Sequence, residues 1–268
     1  MGGKHYDKLI LNHYKKVAGS FGLRSSSTME DPFVRKKEIE FIIEEIQRLF
    51  LELKRDIVIL DAGCGNGYTL SCLKERFPTF VFYGVEFSPE LCELAVSRNL
   101  EGVKITNGDI REKDFFKETV DIVITERVII NILNRGHQDD AIANISSVLP
   151  DGGLYVMIES FVGPLKELGD ARDEMCLDEI EESYQNKYLN EPFVKRMVKY
   201  GLTENTPVMP RNYLSSHFYL TRVFHKAMRP DGGKVKFTKM VDFFREAIPP
   251  AVGNFSPILF RSFRKISK

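Results

Sequence analysis

The sequence predicts an α/β fold in which helices cover both faces of a parallel sheet. Short apolar runs of strand length alternate with helical segments between residues 57 and 158, which is the pattern of a parallel sheet buried on both sides. A glycine-rich turn directly follows the first of these runs. The composition, with 43% hydrophobic and 28% charged residues, is that of a globular protein and excludes a disordered or fibrous chain.

Helix and strand signals follow one another through the first half of the chain. Residues 37–54 carry apolar side chains at spacings of three and four, which predicts an amphipathic helix. Ser88 and Pro89 open another helix, because serine caps helices and proline fits a first turn. Further helices are expected at 5–19, 68–76 and 138–148. The predicted strands are 57–60, 80–85, 103–106, 120–125 and 154–158.

The regular alternation stops near residue 160. Residues 161–190 are acidic, and we expect them to be irregular. Helices are expected at 191–200 and 213–228. A weak strand is expected at 202–208 and a final strand at 258–263. The chain is therefore divided into four regions. Residues 1–36 form an N-terminal cap and residues 37–160 a ligand-binding core. Residues 161–255 form a lid that shapes the site of a second ligand, and residues 256–268 the last core strand.

The net charge and the cysteines of the chain indicate which classes of partner and metal site to expect. Lys plus Arg and Asp plus Glu number 38 each, and the zero net charge gives no general attraction to nucleic acid or anionic lipid. No membrane span or signal peptide is expected, since no apolar run is long enough. The four cysteines form no C-x-x-C pair, so we expect no structural metal and free thiols in a reducing cytoplasm.

The segment Asp61-Ala62-Gly63-Cys64-Gly65-Asn66-Gly67 lies between a predicted strand and a predicted helix. Its glycines let the backbone turn sharply and approach a ligand. A dinucleotide loop needs a further glycine where Tyr68 stands, and Asp61 would repel a pyrophosphate. A P-loop is excluded because no Gly-Lys-Ser/Thr ends the segment.

Two more acids stand at the ends of the next two predicted strands. Glu86 could accept bonds from both hydroxyls of a ribose, and Asp109 from an exocyclic amine such as adenine N6. Together with Asp61 they line one edge of the sheet, where open α/β sheets bind ligands. S-adenosylmethionine (SAM) carries an ammonium group, a ribose and an adenine but no phosphate, and it fits all three acids.

These motifs closely resemble those of the class I SAM-dependent methyltransferases. Residues 58–67 resemble motif I, 84–88 the acidic loop, 107–110 the adenine-binding motif, and 120–123 with 149–153 motif IV and the turn before strand five. The resemblance implies a Rossmann-like seven-stranded sheet with helices on both faces, an antiparallel last strand, and caps from the N-terminus and the C-terminal half. It implies SAM as cofactor and S-adenosylhomocysteine as product.

The strand-end acids and the resemblance together assign a cofactor site. Related small-molecule methyltransferases often cover SAM with N-terminal helices, so we expect Tyr14 to contact SAM and Arg35 to hold its carboxylate. The expected cofactor-binding residues are Tyr14, Arg35, Asp61, Gly63, Cys64, Gly65, Glu86, Phe87, Asp109, Ile110 and Glu126.

Residues for the acceptor are sought at the ends of strands four and five and in the second half. A protonated nucleophile needs a base, for which His217 is preferred and Glu159 is an alternative. Arg127 could hold an anion, and Tyr188 is assigned to a lid over the acceptor. Each has a structural alternative: His217 and Tyr188 in core packing, Arg127 in a surface pair with Glu126, and Glu159 as a polar strand end.

We expect a methyltransferase that acts on an oxygen of a small sugar-like, phosphorylated or otherwise anionic acceptor. The second half is loosely similar to methyltransferases of bacterial polysaccharide and secondary-metabolite pathways, and Arg127, Arg211 and Arg222 could hold an anion. DNA amino methylation is disfavoured because no N-P-P-F/Y tetrapeptide follows strand four. Alternatives are a protein or RNA methyltransferase with an open basic cleft, and a SAM-binding module without turnover. The aromatic second half could carry a homodimer contact.

Overall fold

A seven-stranded sheet forms the centre of the computed structural model, which describes residues 3–229 and 238–266. Its strands are β1 (Val58–Ala62), β2 (Val81–Glu86), β3 (Val103–Asn107), β4 (Ile122–Glu126), β5 (Leu154–Ser160), β6 (Leu202–Asn205) and β7 (Ile258–Lys265). Their order is β3-β2-β1-β4-β5-β7-β6. The first five strands are parallel, and β7 runs antiparallel to both β5 and β6. The predicted sheet with its antiparallel last strand is confirmed.

Helices surround this sheet. They are α1 (Gly3–Phe21), α2 (Pro32–Leu53), α3 (Tyr68–Arg76), α4 (Pro89–Ser97), α5 (Arg135–Ser147), α6 (Val162–Asp173), α7 (Glu191–Arg196), α8 (Ser215–Tyr219), α9 (His225–Met228) and α10 (Lys239–Ala247). Short 3₁₀ turns lie at Ile129–Asn131 and Met197–Tyr200, and a π turn at Leu220–Phe224 joins α8 to α9. None of the helices in the described part of the chain is long and apolar enough to cross a bilayer.

Alternate residues of the strands point into two separate cores. Ile59 belongs to the core that α2, α3 and α6 cover, while its neighbour Leu60 belongs to the core under α5 and α7. In β5, Val156 and Tyr155 divide between the two cores in the same way. Both faces of the central strands β1, β4 and β5 are buried, so these strands are apolar at nearly every position and appear in the sequence as continuous apolar runs.

Helix α2 begins earlier than the periodicity of residues 37–54 indicates. The Asp31 carboxylate accepts bonds from the backbone N–H groups of Phe33 and Val34 at 3.1 and 3.3 Å. Pro32 occupies the first turn, where its missing N–H costs nothing. This start fixes where Arg35 and Glu38 stand on the helix, and both matter for the site below.

The second half differs from the expectation in three places. The segment 161–190, expected to be irregular, begins with α6, which buries Pro164, Leu168 and Ala171 between charged residues. The helix expected at 213–228 begins at Ser215 and contains the π turn. Helix α10 was not foreseen. The expected caps and last core segment also include residues 1–2, 230–237 and 267–268, which lie outside the described residues.

Candidate active site

The glycine-rich loop connects β1 to α3 at the carboxyl edge of the sheet. Gly63, Gly65 and Gly67 all have positive φ angles, of 92°, 55° and 73°, which favour glycine. A Cβ atom on Gly63 would collide with the side chain of Val128. The N–H groups of Gly63 and Cys64 donate to the Val85 carbonyl at 2.7 and 3.1 Å. The loop is thus held open beside the end of β2.

Glu86, at the end of β2, faces this loop from inside the protein. Its Oε2 accepts the Gly65 N–H and its Oε1 the Ser88 N–H, both at 2.8 Å. Burial raises the pKa of this carboxyl group, and the backbone hydrogen bonds oppose the shift. Each oxygen retains a second lone pair, so a ribose with two hydroxyl groups can still bind to Glu86.

Asp61 lies near the end of β1, just before the glycine-rich loop, and its carboxylate is not fully hydrogen-bonded within the described part of the chain. It is 1% exposed, and its Oδ2 has no hydrogen-bond partner among the described residues. Burial raises the pKa of Asp61 well above its usual value, and the neighbouring carboxylates of Glu126 and Glu86 raise it further. A buried carboxylate among other carboxylates is stabilised by a cationic ligand. The ammonium group of SAM meets that requirement.

Arg35 of α2 lies at the same end of the cavity. Its Nη1 donates to Glu126 Oε2 at 2.9 Å and its Nη2 to Thr28 Oγ1 at 2.5 Å. Glu126 Oε1 accepts the Thr69 hydroxyl at 2.5 Å. Thr28 in turn lies 3.5 Å from where a Cβ atom of Gly65 would be. Arg35 is therefore placed beside the glycine loop, within reach of a carboxylate bound there.

The far end of the cavity is organised by Arg111, which sequence analysis did not single out. Its Nε donates to both oxygens of Asp109, at 2.8 and 2.9 Å, and its Nη1 donates to Asp7 and to the Tyr6 hydroxyl, both at 2.7 Å. The guanidinium carbon lies 5.0 Å from the centre of the Phe87 ring. Asp109 is therefore occupied by Arg111, two residues further along the chain, rather than open for an adenine.

Helix α1 covers this end of the sheet edge and packs against α4. The Tyr6 hydroxyl lies 2.6 Å from Nδ1 of His137, and Asn131 Nδ2 donates to the Tyr14 hydroxyl at 2.5 Å. All the expected cofactor-binding residues line the cavity beneath α1: Tyr14, Arg35, Asp61, Gly63, Cys64, Gly65, Glu86, Phe87, Asp109, Ile110 and Glu126.

Arg127 also lines this cavity, directly after β4. It has a positive φ of 58°, and its N–H donates to the Ile158 carbonyl at 2.8 Å. Its Nη1 donates to the buried Glu38, while its Nη2 is buried without a partner in the part of the chain that the structure describes. Burial raises the pKa of Glu38 to about 7, against the opposing pull of Arg127 and Arg35.

Glu159 of β5 holds the turn that follows Arg127. Its Oε1 accepts the N–H groups of Val128 and Ile129 at 3.0 Å, and its Oε2 that of Ile130 at 3.3 Å. Burial raises the pKa of Glu159 to about 7. The carboxylate is fully buried and does not line the cavity. Its contacts are those of a residue that positions the turn, not of a base that meets a substrate.

The structure also places His217 outside the cavity. Its Nε2 lies 2.8 Å from Asp31 Oδ2, and Arg222 Nη1 contacts the same oxygen at 3.3 Å. Burial lowers the pKa of His217. His217 of α8 and Arg222 of the π turn thus meet at Asp31, the residue that caps the start of α2. The expected base is therefore a packing contact of the cap.

The remaining acceptor candidates of the second half also lie away from the cavity. Tyr188 packs against the core under α5 and α7, and Arg211 pairs with Glu204 at 2.9 Å. Across residues 3–229 and 238–266, no three His, Cys, Asp or Glu side chains are grouped so as to hold a metal ion. Of the residues expected to bind the acceptor, Arg127 lines the same cavity as the expected cofactor-binding residues.

Part of the chain is similar to known methyltransferases. Residues 59–153 match the sequence profile described as a methyltransferase domain. An uncharacterized methyltransferase of Bacillus cytotoxicus is 28% identical over 136 residues, which cover 48% of this chain and 61% of that protein. Trans-aconitate 2-methyltransferase of Mycobacterium tuberculosis is 29% identical over 115 residues, 43% of this chain and 41% of that enzyme. The chain thus spans about half the length of the curated relatives it matches.

A solved structure shares the whole fold. Magnesium protoporphyrin IX methyltransferase from Synechocystis, determined with bound SAM, superposes with a TM-score of 0.55 over 97% of both chains at 11% identity. At that identity the likeness shows the fold alone. The profile match covers the glycine loop and the strand-end acids that the structure assembles into one cavity. Residues 59–153 therefore form a methyltransferase domain on the fold of the class I SAM-dependent methyltransferases, with SAM as the cofactor.

Proposed function

We propose that the protein transfers the methyl group of SAM to an oxygen of a small anionic acceptor. One observation carries the proposal: a single covered cavity contains both the carboxylates that suit SAM and an arginine, Arg127, with a donor to spare. The acids lie at the glycine-loop end, and Arg127 lies beside the turn at Ile129–Asn131. The two ligands of a methyl transfer therefore have separate places in one site.

The proposed cofactor contacts follow from the geometry of each side chain. Asp61 Oδ2 accepts a bond from the ammonium group, and Glu86 accepts the two ribose hydroxyls. Arg35 receives the methionine carboxylate. Phe87 and Ile110 enclose the adenine, for which Asp109 becomes an acceptor once Arg111 yields one of its bonds. Gly63, Cys64 and Gly65 supply the close backbone approach, and Tyr14 and Glu126 complete the wall.

SAM supplies a methyl group on a positively charged sulfur. The chain contributes alignment and exclusion of water rather than proton transfer. Helix α1 does this by closing over the cavity through Asp7, Tyr6 and Tyr14, each bonded to the core. Glu159 fixes the turn that carries Val128 and Asn131. The protein thereby holds the acceptor and the methyl group in line.

A small acceptor is supported by this cover. The cavity lies between α1 and the sheet edge, which suits a compact molecule better than a protein or RNA segment. The relative from Mycobacterium tuberculosis is named for trans-aconitate, a small organic anion, which agrees with an anion at Arg127. A sugar-like or phosphorylated metabolite, as in polysaccharide biosynthesis, is within the proposal. No contact in the described residues favours the protein or RNA alternative.

Methyl transfer from labelled SAM tests the proposal. The full chain is incubated with SAM labelled in its methyl group and with small-metabolite pools separated into anionic, neutral and cationic fractions. We expect label to enter the anionic fraction. Label found only in protein or RNA would contradict the small-molecule assignment. SAM binding without transfer to any fraction would indicate a binding module that lacks turnover.

A cytoplasmic location and a homodimer complete the proposal. Cys64, Cys72, Cys92 and Cys176 are all free thiols, as expected in a reducing compartment. Phe243 and Met228 of the second half are 67% and 61% exposed and offer apolar surface to a second copy. Light scattering over a range of concentrations should show a dimer, and a monomer throughout would contradict the homodimer.

A further inference from the structure

We propose that the acceptor is a carboxylate, bound by Arg127, and that the product is its methyl ester. This inference rests on the proposed methyl transfer and names the acceptor class. It follows from two independent features of the cavity. One is the chemistry of the side chains that line it, and the other is the unused donor of Arg127.

No histidine or lysine lines the cavity within the described ranges. Its carboxylates are engaged elsewhere: Asp7 and Asp109 by Arg111, Glu126 by Arg35, and Glu86 by two backbone N–H groups. Asp61 has a buried oxygen without a partner among the described residues, and it lies at the glycine loop, at the end assigned to the ammonium group of SAM.

An acceptor that must lose a proton is poorly served by such a site. A hydroxyl or an ammonium group becomes a good nucleophile only when a base removes its proton. A carboxylic acid has a pKa of about 4 and is already ionised at neutral pH. It is therefore the oxygen nucleophile that this cavity can use with the residues that line it.

Arg127 provides the matching donor. Its side chain is 12% exposed and is held at one end by the ion pair between Nη1 and the fully buried Glu38. The backbone takes a left-handed conformation that few non-glycine residues adopt, and it is fixed by bonds to Ile158 and Asn131. Arg127 lines the cavity, and its Nη2 is buried without a hydrogen-bond partner among the described residues. A planar guanidinium in a fixed position recognises a planar carboxylate well.

The carboxylate of SAM has a different partner. Arg35 lies beside Thr28 and the glycine loop, where the amino-acid end of SAM belongs. Arg127 instead adjoins the turn that holds Asn131, whose side chain also contacts Tyr14 of α1. The third arginine of the cavity, Arg111, is committed to Asp7 and Asp109. Two anions thus have two separate arginines.

A single negative charge fits this position better than a phosphate dianion. Arg127 already pairs with the buried Glu38, so every negative charge that an acceptor brings adds to the net negative charge of the site. A monoanionic carboxylate group demands the least of this environment.

The transfer balances without any proton movement. One carboxylate oxygen attacks the methyl carbon of SAM, and an O–C bond forms as the S–C bond breaks. The electron pair of the S–C bond goes to sulfur. The products are the methyl ester and S-adenosylhomocysteine. The negative oxygen and the positive sulfur neutralise each other as the reaction proceeds, and a dry cavity favours such charge cancellation.

The stability of the product toward alkali tests this inference. The full chain is given methyl-labelled SAM and a panel of mono-, di- and tricarboxylates, sugar phosphates, alcohols and amines. We expect label in a carboxylate, released as volatile methanol by mild alkali. Transfer that gives only an alkali-stable product, such as an ether, a methyl phosphate or a methylamine, overturns the inference and leaves the proposed function intact. No transfer to any acceptor overturns both.

Arg127→Lys tests whether Arg127 binds the acceptor. Lysine keeps a positive charge for Glu38 but lacks the second N–H group of the guanidinium that would donate to the carboxylate. We expect the KM for the carboxylate to rise by about 10–100-fold and the Kd for SAM to change by less than about twofold. Arg76→Lys, on an exposed α3 residue, is the matched control and should change neither. A large loss of SAM affinity with an unchanged acceptor KM would assign Arg127 to SAM and overturn the inference.

A second variant serves if Arg127→Lys does not fold. Arg127→Gln combined with Glu38→Gln removes both charges of the buried pair together, so neither is left alone. The acceptor KM should again rise while SAM still binds. An unchanged acceptor KM in this double variant would contradict the proposed role of Arg127.

Discussion

The sheet edge and the cap that faces it handle charge in different ways. At the sheet edge, Asp61 and Glu86 are buried carboxylates. Glu86 accepts two backbone N–H groups, whereas one oxygen of Asp61 has no hydrogen-bond partner among the described residues. Where helices α1 and α2 meet this edge, Arg35 of α2 and Arg111 and Arg127, which follow β3 and β4, each pair with a carboxylate. The edge is thus ready for a cation, while the arginines join the cap to the core. The affinity for SAM should therefore depend mainly on the acids of the sheet edge. The covering of the cavity should depend on the ion pairs that hold the cap.

The largest expected effect is on the edge itself. Asp61→Asn removes the partner proposed for the ammonium group and should weaken SAM binding by about 10–100-fold, the value of a charged hydrogen bond. Because Asp61 is buried among other carboxylates, the SAM-free protein should be as stable as before or more so. Calorimetry and thermal unfolding measure both quantities. Asp114→Asn, at an exposed acid, is the control. Unchanged SAM affinity would remove Asp61 from the site.

The glycine loop should respond next. Gly63→Ala adds a Cβ that collides with Val128 at a φ of 92°, and we expect a loss of about 1–3 kcal/mol of stability. Gly152→Ala is the matched control, since Gly152 also has a positive φ, of 79°, but nothing within 4 Å of the added atom. Denaturant unfolding of both variants separates collision from backbone strain. Equal losses would mean that the close approach of Val128 is unimportant.

The pH dependence of SAM binding sharpens the role of the edge. Burial and the charges of Glu126 and Glu86 raise the pKa of Asp61 in the free protein, with Arg35 opposing them, and a bound ammonium group would lower it. Between the two pKa values a proton leaves on binding, so SAM affinity should rise with pH across that interval, by at most about tenfold per unit.

Titration calorimetry in buffers of different ionisation enthalpy detects that proton release. Asp61→Asn should abolish it, which distinguishes Asp61 from Glu86 and Glu126. An affinity that falls as pH rises through this range would show that the charged form of Asp61 does not bind the ligand.

The smallest effect is expected in the cap. Asp7→Asn breaks the ion pair between α1 and Arg111, whose side chains are 25% and 13% exposed. Partly exposed pairs contribute about 0.5–1 kcal/mol, so SAM affinity should fall by a few-fold. Lys15→Ala removes the exposed contact of α1 with Glu90 and should have no effect. If Asp7→Asn weakens SAM as much as Asp61→Asn does, the contrast between edge and cap is wrong.

The sheet edge was the part that sequence could predict. Asp61, Glu86 and Asp109 each stand at the end of a predicted strand, and parallel strands bring such residues together. The contacts of the cap could not be predicted in this way, because Arg127 meets Glu38 and Arg111 meets Asp7 across long separations in sequence. No periodicity encodes such pairs.

Local irregularity caused the other differences. His217 was expected on a helix at 213–228, but the helix begins only at Ser215 and then widens into a π turn. His217 therefore contacts Asp31 instead of the cavity. In α6, charged residues separate the buried ones, and this hid the helical period.

The central claim is that the cavity under α1 binds SAM through the acids of the sheet edge. Calorimetric titration of the full chain with SAM, S-adenosylhomocysteine and NAD tests it most directly. We predict that SAM and S-adenosylhomocysteine bind and that NAD does not. Binding of NAD, or no binding of SAM, would contradict the assignment of the glycine loop and of every cofactor contact built on it.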